Sequence, residues 1–148
     1  MGTIRHEVWI DAPRENVFQA ITERRGLDAW WGPTLTGEPQ VGYVVEFGHL
    51  GPGSPPLKMR IMDLVPNERL LWRCISDFIE PENPASEWLG TQLLFELKAG
   101  DGVTVVQFQH TGWPKGARWY PFCNYQWGVA LTSLKHYCET GASGHPEE

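Results

Sequence analysis

The chain has 148 residues, 18 acidic and 12 basic, with a formal charge of -6; this acidic balance excludes nucleic acid and anionic membrane surfaces, which both need clustered Lys and Arg. Aromatic residues make up 12% of it, 8 of them Trp, and that much ring area excludes disorder. The length suits one domain, which at this size buries roughly 70% of its unfolded surface without staples. Three cysteines, Cys74, Cys123 and Cys138, make a poor disulfide framework, and the last two would sit about 22 Å apart on one helix. No apolar run is long enough to span a bilayer, and the N-terminus has neither a signal-peptide core nor a myristoylation signal. These features predict a reduced, soluble, cytoplasmic protein.

Residues Thr3 to Asp11 alternate as a strand. Asp11-Ala12-Pro13 then opens a short helix bearing Val17, Phe18, Ala20 and Ile21. Gly26 interrupts the pattern, and Leu27 to Trp31 form a second short helix or turn that stops at Gly32-Pro33. Strands follow at Gly42 to Gly48, Leu57 to Val65, Arg69 to Phe78, Trp88 to Lys98 and Val103 to His110. Pro66-Asn67-Glu68 and Ala99-Gly100-Asp101-Gly102 have hairpin chemistry, so their flanking strands pair antiparallel. Gly48 to Pro56 and Ile79 to Glu87 read as exposed flaps. From Pro121 to Gly141 a long helix carries Cys123, Trp127, Ala130, Leu131, Leu134 and Cys138 on one stripe. The order predicts an α+β domain over residues 1–141: a curved antiparallel sheet of about six strands wrapped on the C-terminal helix, followed by a flexible tail at 142–148.

Several segments carry a resemblance. Ile10-Asp11-Ala12-Pro13, Trp30-Trp31-Gly32-Pro33, Val65-Pro66-Asn67-Glu68-Arg69-Leu70, Phe95-Glu96-Leu97, His110-Thr111-Gly112-Trp113 and Glu139-Thr140-Gly141 stand in an order that resembles the SRPBCC superfamily. That superfamily includes START domains, birch-pollen-allergen relatives and polyketide cyclases. Within it the chain is most similar to homologues of the activator of the 90-kDa heat-shock-protein ATPase. The resemblance implies a helix-grip fold enclosing an apolar cavity that binds a small hydrophobic molecule. It also implies association with a chaperone, but the separate N-terminal domain of the fuller eukaryotic pattern is missing here, which weighs against direct activation of that partner.

Alternation places Tyr43, Val45 and Phe47 on one face, as it does Leu57, Met59, Ile61 and Asp63; Leu70, Trp72 and Cys74; Leu93, Phe95 and Leu97; and Val106, Phe108 and His110. Taken as inward, with Cys123, Trp127 and Leu131 from the helix, these sets line a space suited to a small apolar or aromatic ligand. Trp30, Trp31, Trp88, Trp113 and Trp119 fall at loops and element ends, where rings can guard a mouth. Asp63 and His110 are the titratable groups on the inward faces, an acid and base for a cyclase- or hydrolase-type reaction if they meet; the bland alternative is a turn cap and a structural hydrogen bond. No zinc spacing, phosphate-binding loop, dinucleotide fingerprint or nucleophile elbow is present, so neither metal nor cofactor is expected. Phe122, Tyr125 and Val129 lie off the buried stripe. They either pack beneath the Trp113 to Tyr120 segment or meet a second copy in a homodimer.

Overall fold

The structure, a computed structural model, describes residues 2–48, 55–76 and 79–142. The Gly48 to Pro56 flap at 49–54, the strand end expected at Phe78 and the tail from 143 lie outside the described residues. The chain runs β1 (Ile4–Ile10), α1 (Arg14–Thr22), α2 (Arg24–Trp30), β2 (Thr34–Thr36), β3 (Val44–Phe47), β4 (Leu57–Val65), β5 (Arg69–Cys74), a 3-10 helix (Pro84–Glu87), β6 (Gln92–Ala99), β7 (Thr104–Thr111) and α3 (Tyr120–Thr140). All neighbouring strands pair antiparallel in a sheet of order β1-β7-β6-β5-β4-β3-β2. This is the expected helix-grip architecture with seven strands rather than six. The additional strand, β2, is three residues long; too short to show alternation, it exists through its pairing with β3.

Helix α3 ends as its sequence dictates: Gly141 takes the left-handed conformation at φ 77° and its N–H bonds the Tyr137 carbonyl. Cys123, Trp127, Leu131 and Leu134 are its buried residues, which puts one stripe on the inner face of the sheet. Its other side reaches back to β1. Lys135 Nζ donates to the Trp9 carbonyl at 2.6 Å and Glu139 accepts from the Asp11 N–H at 2.8 Å, occupying backbone groups at the open edge of the sheet. The glutamate's pKa is lowered by that N–H and by Lys135.

Gly26 does not break a helix; it lies inside α2. A Cβ there would come within 2.5 Å of the Ala20 Cα, so glycine is what lets α2 lie directly on α1. Trp30 fastens the pair by donating from Nε1 to the Ala20 carbonyl at 2.8 Å.

Inward-facing residues of β5, β6 and β7 match the alternation: Leu70, Trp72, Cys74, Leu93, Phe95, Leu97, Val106, Phe108 and His110 are all buried. Two inward assignments are corrected. The register of β4 against β5 shifts between Ile61 and Asp63, a bulge that inverts side-chain parity. Leu64 therefore packs on the core, while Asp63 turns outward and meets Arg69 at 3.1 Å, both side chains exposed. Tyr43 precedes β3, its N–H bonding Gln40 in a turn, and its side chain is 49% exposed.

Candidate functional site

The interior between sheet and helix is filled by stacked rings, and Trp31 is at their centre. It caps the C-terminus of α2 with its own backbone out of the helical range, at φ -133° and ψ -61°. Consecutive helical residues point about 100° apart; leaving the helix at this point lets Trp30 and Trp31 both serve the interior. Around the Trp31 ring stand Phe47 at 4.6 Å, Trp127 at 5.3 Å, Trp72 at 5.7 Å and Trp88 at 6.5 Å between centroids. Its plane is within 15° of Trp72 and 14° of Trp88. Parallel, offset rings at these separations are the favoured aromatic geometry.

Beside this stack a cleft of ≈ 440 Å³ opens between the end of α2, the 3-10 helix and α3. Trp30, Trp31, Trp88, Phe122 and Trp127 supply its ring surface; Asn83, Gln126 and Ser133 its polar groups. No Asp, Glu, Lys, Arg or His is among its lining residues. Asn83 caps the 3-10 helix by accepting the Ala85 N–H at 2.9 Å, which sets Trp88 at the helix's end. Trp88 is 6% exposed, and its Nε1 has no hydrogen-bond partner among the described residues. Cys123 also lines the cleft. Its thiol donates to the Pro84 carbonyl at 3.5 Å, and burial pushes it up to about 11, which disfavours the nucleophilic thiolate at neutral pH.

The wall formed by the 79–87 segment is tied to the start of α3. Glu87 accepts the backbone N–H groups of Arg118 and Trp119 at 3.0 and 2.9 Å, and the Trp119 indole donates to the Pro81 carbonyl at 3.0 Å.

His110 is 0% exposed and both ring nitrogens are occupied. The Trp127 indole can only donate, so Nδ1 accepts at 3.2 Å and the proton resides on Nε2. Nε2–H then donates to Thr91 Oγ1 at 2.9 Å, whose hydroxyl donates to the Trp88 carbonyl at 2.6 Å. Burial lowers the pKa of the ring to about 3. Asp63 does not join it. Three strand steps separate β4 from β7, roughly 14 Å, and the two side chains lie on opposite faces of the sheet. The acid–base pair expected from alternation is therefore not assembled, and His110 is a structural imidazole that joins α3 to the sheet.

Of the expected ligand-binding residues, Trp30, Trp31, Cys123 and Trp127 line the cleft. Phe47, Trp72, Phe95, Phe108, Met59, Ile61 and Leu131 are buried in the core around it. Trp113 is buried against His110, centroids 4.8 Å apart, and Trp119 is half-buried against the edge of the core, edge-on to the cleft residue Phe122.

This arrangement can be compared with known proteins. The family model described as "Activator of Hsp90 ATPase homolog 1-like protein" matches residues 11–139. The chain belongs to this family. A search of curated proteins returns no match. Among solved structures, the Aha1 dimer of Colwellia psychrerythraea has 30% identity and a TM-score of 0.80, over 95% of this chain and 98% of that one. The protein MLL2253 of Mesorhizobium loti has 19% identity and a TM-score of 0.76, over 91% and 95%. DynU16, of the dynemicin biosynthetic locus, has 20% identity and a TM-score of 0.76, over 97% of this chain and 49% of that one. The last two share the fold alone. Within this activator-homolog fold, sequence reasoning missed Asn83 and Gln126 as cleft residues. Asn83-Pro84 carried a readable cap signal; Gln126, one residue before Trp127 and outside the buried stripe, carried none.

Proposed function

We propose that the protein binds a small, uncharged aromatic or hydrophobic molecule in the cleft between the sheet and the C-terminal helix. One observation carries this reading: tryptophans from α2, the 3-10 helix and α3 converge on a cleft of ≈ 440 Å³ with no charged side chain in its lining. An ionic ligand would lose its hydration there without a partner, whereas a neutral ring gains apolar contact. Asn83 and Gln126 can orient a polar substituent. Titration with the neutral fluorophore N-phenyl-1-naphthylamine tests the reading, with saturable enhancement and a change in tryptophan emission expected. Absence of binding by this and several related probes, with nothing retained in native mass spectrometry, overturns it. Three free thiols support a cytoplasmic location.

A second reading concerns assembly. Phe122, Tyr125 and Val129 are 43%, 68% and 46% exposed along one side of α3, Phe122 and Val129 at the rim of the cleft itself, and the Colwellia relative is a dimer. We infer that this face joins two copies. Sizing wild type against Tyr125→Glu should show a dimer that becomes monomeric; a monomeric wild type, or a dimer unchanged in the variant, removes the idea. Stimulation of Hsp90 ATPase by the purified chain would favour a chaperone role over ligand binding.

A further inference from the structure

We propose that the ligand's seat is the slot now filled by the Trp31 indole: this side chain stands in for a flat aromatic guest and swings into the cleft when one enters. The inference rests on this region being a ligand site, and refines it: the guest's ring sits in the slot adjoining the cleft, and the cleft takes the displaced indole.

Trp31 differs from the rings around it. Trp30, Trp72, Trp88 and Trp127 are between 1% and 6% exposed, whereas Trp31 is half-buried and lines the cleft. It belongs simultaneously to the core stack and to the solvent-facing opening. Its backbone is fixed independently of the ring. The Trp31 and Gly32 N–H groups both bond the Leu27 carbonyl, at 2.8 and 2.7 Å, and Asp28 holds the Thr34 N–H at 2.6 Å. Rotation about the side-chain bonds therefore carries the indole outward with α2 and β2 in place, and the cleft is the space that receives it.

The emptied slot defines its guest. Its walls come from separate elements: Trp72 on β5 and Trp88 beyond the 3-10 helix lie nearly parallel to the vacated plane, while Phe47 on β3 stands at 61° to it. Parallel ring walls select a flat molecule, and the room is that of one indole, hence a neutral bicyclic aromatic. A ring of the protein's own in this slot also keeps the unliganded state packed, since an empty apolar cavity is destabilising.

Calorimetric titration with 2-naphthol, a neutral bicycle, separates the alternatives when done on wild type, Trp31→Ala and Trp31→Phe, together with fluorine NMR of wild-type protein containing 5-fluorotryptophan. If Trp31 occupies the seat, the alanine variant binds about tenfold tighter or better, because wild type is competent only in the fraction with the ring displaced. The phenylalanine variant falls between, and the Trp31 fluorine of wild type moves to a solvent-exposed shift on saturation. Weaker binding by Trp31→Ala overturns the proposal by making Trp31 a wall of the cleft, and leaves the ligand reading intact. Tighter binding with the wild-type Trp31 fluorine still buried also overturns it, as the sign of an engineered cavity. If the alanine variant fails to fold, the wild-type fluorine shift decides alone. Binding to none of the three proteins removes both the seat and the ligand reading beneath it.

Discussion

Moving from about pH 7.5 to about pH 5 perturbs one buried group selectively. His110 is fully buried, and burial lowers its pKa from 6.5 to about 3. The native value lies below the unfolded one, so on acidification the unfolded chain takes up the proton first. The stability contributed by the neutral ring is complete above about pH 6.5 and is lost progressively down to about pH 3. Within that window the slope is about 1.4 kcal/mol per pH unit, so this imidazole alone removes about 2 kcal/mol by pH 5. Against a total of roughly 5–15 kcal/mol, that is a visible fraction. Urea unfolding of wild type and His110→Gln at both pH values isolates the effect, because the two proteins differ only at this residue and glutamine cannot take a proton. Wild type should lose about 2 kcal/mol more than the variant on acidification. Parallel losses, or an imidazole resonance of His110 titrating near its ordinary value, would refute the assignment. They would also undo the hydrogen-bond chain from Trp127 through Thr91 to the Trp88 carbonyl.

Glu87→Ala removes the carboxylate that accepts from the Arg118 and Trp119 N–H groups; a loss of about 1–2 kcal/mol in unfolding free energy is expected, with faster amide exchange confined to 79–88 and 113–120. Asp63→Asn breaks an exposed ion pair with Arg69, so unfolding free energy should change by less than about 1 kcal/mol and N-phenyl-1-naphthylamine affinity should not change; loss of probe binding would return Asp63 to the site. Cys123 and Cys138, raised by burial to about 11 and about 12, and buried Cys74 should resist iodoacetamide in the native protein at neutral pH and react together in denaturant, as read by intact mass. Rapid native labelling of Cys123 would contradict its burial.

The sequence pattern was legible wherever one residue's surroundings follow from its neighbours in the chain. The α3 stripe from Cys123 to Leu134, the Asn67 and Gly102 turns with φ of 64° and 71°, and the faces of β5, β6 and β7 all belong to that class. Asp63 did not, because a parity count along β4 holds only until a residue is inserted, and the bulge after Ile61 is set by pairing with β5 rather than by β4 itself. Trp31 exposes a different limit. Its place at the end of a short helix beside Gly32-Pro33 suggests a ring at an element end, and Trp31 does line the cleft, yet the ring turns inward because Phe47, Trp72, Trp88 and Trp127, distant in the chain, leave room there for one more indole. An alternation argument counts every inward side chain as lining and none as filling. Met59 and Ile61 are therefore inward and 0% and 2% exposed, but absent from the cleft wall. Whether an inward ring fills the interior or lines an opening is set by contacts between distant elements, a property of the folded interior that no strand reveals alone.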